Sequence, residues 1–204
     1  MKNKIFRVTI ILLVVLGFST STTLQAVAAE KTTGRSVTAQ FGEFEGCVST
    51  DIFISAWQDN RQENLVGVRV SIISYDSCQQ KDVFAAVGES FIDPADLHIS
   101  NNLSTAELRT NLSMYNRISG ETFDVRVDMD WTATGEPVRW TDHYKEKTRE
   151  CHYVNHLKTT DRQAVAAGSI SGGPVDFPGL QFPYANLYSF TEWVIYNGGD
   201  CGGG

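Results

Sequence analysis

The chain has 204 residues, with 24 Asp and Glu against 17 Lys and Arg, four cysteines and 42% hydrophobic residues. A formal charge of −7 sets it apart from strongly basic chains that hold nucleic acid or anionic membranes by global attraction. The length suits one domain with a good core.

Residues 1–29 begin with Lys2, Lys4 and Arg7, pass through an apolar run from Val8 to Phe18, and end on Ala26, Val27, Ala28 and Ala29. That order is the pattern of a secretory signal peptide. The apolar run is about half the roughly 20 residues a membrane-crossing helix needs. An exported protein is therefore expected, extracellular or periplasmic, with residues 30–204 as its single working domain. Removing the leader takes away three basic side chains, leaving 14 against 24 and a net charge of −10. Neither a nucleic-acid partner nor a transmembrane segment is expected. Cys47 lies far from the cleavage point and the ending "NGGDCGGG" carries no apolar tail, so no lipid anchor is expected.

Period-two alternation dominates the rest. Strands are expected at 48–57, 65–75, 83–92, 106–115, 123–131, 138–147, 151–160, 164–171 and 188–196, and residues 36–45 form a further strand or an extended lead-in. The clearest is "FDVRVDMDW", where Phe123, Val125, Val127, Met129 and Trp131 fall on one face and Asp124, Arg126, Asp128 and Asp130 on the other. Segment 172–184 holds three of the five prolines and is expected to cross the surface without regular structure. These elements predict an all-β fold, an antiparallel sandwich or barrel-like single domain of about nine strands.

Four cysteines in an exported chain imply two disulfides. Cys47 and Cys78 are equidistant from the loop at 58–64 and should face each other across a hairpin. That leaves Cys151 with Cys201, a bridge tying the glycine-rich tail to the strand "CHYVNH".

The same strand carries His152 and His156. An oxidised Cys151 cannot ligate a metal, and on a strand the two imidazoles lie roughly 13 Å apart, too far to share one zinc. A site would need His143 from a neighbouring strand to approach one of them. The expectation is no metal and no cofactor.

Asp128 and Asp130 form an acidic pair that a glycoside hydrolase could use, with His143 as a helper. A plainer reading turns the chain tightly at 134–137, pairing Trp131 with Trp140, Asp128 with His143 and Asp124 with Lys147. Arg139, His143, Lys145 and Lys147 then make a basic face beside the acidic one, an ordinary charge-paired surface. No G-x-S-x-G, H-E-x-x-H, P-loop or dinucleotide fingerprint occurs.

Aromatic residues offer the other signal. Tyr184, Tyr188 and Trp193 lie in or beside the irregular segment and are the candidates for an exposed ligand platform. Asn102 and Asn111 each begin an N-x-S acceptor pattern. The leading expectation is a secreted, non-catalytic module that binds carbohydrate, a cell-surface component or another protein. The alternatives are a hydrolase using the strand carboxylates, and an apolar-ligand carrier if the sheet closes into a hollow barrel.

Overall fold

A computed structural model describes residues 28–60, 65–147 and 151–198. Ten antiparallel strands form one sheet: β1 (Ala28–Glu45), β2 (Val48–Asp59), β3 (Leu65–Asp76), β4 (Lys81–Ile92), β5 (Leu97–Ile99), β6 (Thr105–Asn116), β7 (Thr122–Ala133), β8 (Val138–Lys147), β9 (Cys151–Gly172) and β10 (Val175–Gly198). One 3-10 turn, Pro94–Asp96, precedes β5. Among the described residues no helix is long and apolar enough to cross a membrane.

The pairings run β1–β2–β3–β4–β6–β7–β9–β10 and return to β1, so eight strands close a ring. Of the sandwich and the barrel, the chain forms the barrel, with its shortest seam between β4 and β6, where only Ala86–Asn116 and Val87–Tyr115 pair. Its inside is packed: Val37, Ile52, Ile54, Val68, Val70, Ile72, Leu108, Met129, Ile170 and Leu187 are fully buried. Large and small residues alternate around the wall. Trp131 sits between Ala106 and Ala166 on its two neighbouring strands, and the small side chains leave room for the indole. Its Nε1 donates to the Thr38 carbonyl at 3.0 Å, on a strand that β7 does not pair with, so the ring spans the barrel. Next to it, Gly168 lets β9 approach β7 closely: an added Cβ would lie 2.0 Å from the Asp128 carbonyl oxygen.

Segment 172–184 is not irregular. Gly172 and Gly173, at φ +136° and +55°, turn the chain, and β10 starts at Val175. Pro178 and Pro183 fall within the two interruptions of the β9–β10 ladder, after Phe177 and after Phe182. A bulge spares those positions the ladder hydrogen bond that proline cannot make.

The two expected strands at 151–160 and 164–171 are one continuous β9, and the lead-in at 36–45 is the second half of β1. The Cys47–Cys78 disulfide joins the far ends of the β2–β3 hairpin as expected. Asp76 organises the adjoining turn by accepting from the Cys78 and Gln79 amides and from Gln79 Nε2. The Cys151–Cys201 bridge lies outside the described residues, as does the leader up to residue 27. Ala28 and Ala29, assigned to that leader, pair with Tyr196 and Ile195.

Candidate functional site

Four strand segments continue past the barrel's end as a wing: β8, the first half of β9, the second half of β10 and the start of β1. The β7–β8 pairing expected from the tight turn does not form. β8 pairs instead with β9, setting Val138 against Asp161 and His143 against His156. β7 takes β6 and the second half of β9 as its neighbours. A 22-residue β9 serves both, which a turn-by-turn reading cannot foresee.

The register sorts the wing's side chains, because residues directly opposite each other in an antiparallel ladder point to the same side. Val37, Leu187, Ala164 and Ala166 face the barrel core. The positions in step with them form the wing's inner face. His143, His156, Trp193 and Lys31 make one row across all four strands. The rows beside it add Thr141, Lys158, Thr191 and Thr33 on one side and Lys145, Val154 and Ile195 on the other. Every charged residue on this face among the described ones is basic: Lys31, Arg35, Arg139, Lys145, Lys147 and Lys158, with Arg162 at its foot donating to the Gly135 and Asn102 carbonyls.

The outer face is the reverse. It shows Asp142, Glu146, Asp161, Glu192 and Glu30 among Trp140, Tyr144, Tyr153, Tyr188 and Phe190, with no Lys, Arg or His among the described residues. Asn155 Nδ2 donates to Glu192 Oε1 at 2.7 Å. The Glu146 charge, and then its hydrogen bond, hold the Tyr144 phenol above the ordinary tyrosine range. Burial, and then the Asp161 charge, do the same for Tyr188.

On the inner face the His143 and His156 rings meet edge to face with centroids 5.6 Å apart, and His156 meets Trp193 at 5.3 Å. Lys31 and Lys158 bring their ammonium groups to 5.8 and 5.3 Å from the Trp193 ring. His156 Nε2 is shielded from solvent and has no hydrogen-bond partner, as is His152 Nε2. At the foot of this face a cleft of about 630 Å³ opens at the barrel's end. Thr33, Arg35, Gln58, Asp59, Asn60, Ser189, Phe190 and Thr191 line it, with Pro94 and Asn101 from the connections flanking β5. Arg35 is held there by donating to the Ile99 carbonyl at 3.1 Å.

The candidate residues are thus divided. His143 does approach His156, while His152 sits two rows away against Lys147. Two imidazoles among six cationic side chains are a poor seat for a metal cation. The one cluster of three metal-type ligands among the described residues, Cys47, Asp76 and Cys78, is taken up by the disulfide and its turn. Asp128 and Asp130 meet β9 at Ser169 and Ala167, more than ten positions along that strand from the His156 that faces His143; both pair with Arg109, at 3.0 and 2.5 Å. Arg126 also binds Asp128 at 2.7 Å, and that hydrogen bond, with the carboxylate charge, raises the guanidinium above its ordinary value. This is the charge-paired surface expected for the acidic face, with arginines of β6 and β7 in place of the bases of β8.

Trp193 lies on the inner face. Tyr188 is half-buried on the outer one, and Tyr184 stands 78% exposed beside a separate shallow groove with Phe53, Thr134 and Asn186. Sequence reasoning missed Lys31, Lys158, Arg35 and the cleft. The basic alternation within β8 was the one available signal. Compared with family models, curated proteins and solved structures, the chain matches none, so its site is read from its own chemistry alone.

Proposed function

We propose that the protein is an exported, non-catalytic binding module that takes a carbohydrate into the cleft at the barrel's end and across the wing's inner face. The observation that carries this reading is the cleft's lining. Amides from Gln58, Asn60 and Asn101 and hydroxyls from Thr33, Ser189 and Thr191 line it, and the half-buried Trp193 stands in the next row along the same face. Sugar recognition uses that combination: polar groups fix hydroxyls, and an aromatic ring covers an apolar pyranose face.

Export is supported by the leader pattern at residues 1–29 and by the Cys47–Cys78 disulfide, which persists in oxidising compartments. The non-catalytic reading is favoured by Asp128 and Asp130, which share Arg109 on an outward surface instead of facing a cleft. The filled barrel interior favours it over an apolar-ligand carrier.

A glycan array probed with the exported chain tests the reading. Binding to a defined set of glycans, weakened by Trp193→Ala and leaving the glycans intact by mass, is the expected result. Absence of binding to any glycan, or release of shortened products, would overturn it.

A further inference from the structure

Resting on that reading, we infer that the ligand of the inner face is an acidic polysaccharide, one bearing carboxylates or sulfates along its length. The cations are not scattered over the wing. Lys31, Arg35, Arg139, Lys145, Lys147 and Lys158 all fall on one side of a sheet whose other side carries only acids, so the two faces of the same strands differ in sign.

This sidedness is set against the chain's overall balance. Residues 30–204 carry a net charge of −10, and scattered lysines on such a surface would be neutralised by acidic neighbours. On the inner face they have none. From Arg139 to Lys147 the edge strand runs nine residues, roughly 27 Å at the rise of a strand, long enough to follow a polymer rather than one sugar.

The face also offers more than charge. Lys31 and Lys158 flank the Trp193 ring, so a sugar stacked there would have an ammonium on hand for its acidic substituent. His156 packs edge to face against the same ring and holds it in place. The cleft below adds Arg35 and a set of amide and hydroxyl groups suited to sugar hydroxyls, beside one carboxylate, Asp59.

Nucleic acid carries the same negative charge, but it is the weaker fit. Trp193 is the one Phe, Tyr or Trp side chain on this face among the described residues, whereas single strands are held on several stacked aromatics.

Binding of the exported chain to polygalacturonate, dextran sulfate, neutral dextran and oligo-dT is measured by isothermal titration at 0.05 and 0.5 M NaCl. Polygalacturonate or dextran sulfate should bind, with affinity falling steeply at high salt because exposed charges are screened. Lys31→Glu with Lys158→Glu should weaken binding at least about tenfold, through charge reversal at the contact. Lys145→Glu with Lys147→Glu, at the exposed edge, should do likewise, and Trp140→Ala on the outer face should not. Which of the two acidic polymers binds tighter assigns the carboxylate or the sulfate. Binding to neutral glycans alone would overturn this inference and leave the carbohydrate module standing. Oligo-dT binding as tight as the polysaccharides, sensitive to the same reversals, would replace the glycan with nucleic acid. No binding to any glycan would remove both readings.

Discussion

Trp131 shows how one residue can hold the barrel together. It is 1% exposed, sits between two alanines, and places its only polar atom on the Thr38 carbonyl. Trp131→Ala should cost about 3 to 5 kcal/mol, from lost burial and the void left behind, while Trp131→Phe should cost less because a ring remains. Urea unfolding of the two variants checks the order. Tyr188 gives a residue-scale pH signature. Burial and the nearby Asp161 make its phenol harder to ionise in the folded chain than in the unfolded one. Its contribution is therefore complete below about pH 10, the ordinary tyrosine value. It is lost as pH rises through the higher folded value. Stability should fall on the alkaline side, and Tyr188→Phe should flatten that limb in thermal melts at pH 9 to 12; an unchanged limb would contradict the assignment. The core half of these residues was legible: the alternation in "FDVRVDMDW" put Val125, Val127, Met129 and Trp131 on the buried face, where they are found.

At the scale of elements, alternation fixed which residues share a face but not which strand lies beside which. The turn at 134–137 looked tight enough to pair β7 with β8, and the chain instead crosses from β7 to β8 without pairing them. Nothing in the local pattern distinguishes these outcomes, because a long β9 supplies a partner to both. The hairpin of β2 and β3 was readable for the opposite reason. Its ends carry cysteines equidistant from the loop, and the ladder pairs Val48 with Asp76 through Asp59 with Leu65. Replacing Cys47 and Cys78 by serine frees a loop of 31 residues' separation and should cost about 3 to 4 kcal/mol on the chain-entropy model. Calorimetry of the double variant checks it, and a melting temperature within a degree or two of the parent would contradict a stabilising bridge. The β8 edge is a further consequence of the pairing. Its other side has no partner among the described residues, and its Arg139, Lys145 and Lys147 repel a second β8 laid against it in antiparallel register.

At the scale of the molecule, a filled barrel is a rigid scaffold and the wing is what it presents. Closure of the eight-stranded ring through the β9–β10 and β10–β1 pairs fixes the base of all the wing strands except β8. The face continuous with the core therefore emerges as an ordered surface of basic and aromatic groups. The sequence could not show this surface, because its members come from positions as distant as Lys31 and Trp193, and only the register brings them together. The most direct test uses the four tryptophans, whose indole N–H signals can be assigned one by one by substitution. Trp193 lies on the inner face of the wing, Trp140 on the outer, Trp57 on the barrel wall and Trp131 inside. In a titration of the chain with oligogalacturonate, the Trp193 signal should move and saturate while Trp131 and Trp140 stay in place. Movement of Trp140 alone, or of no indole at saturating ligand, would contradict binding on the inner face.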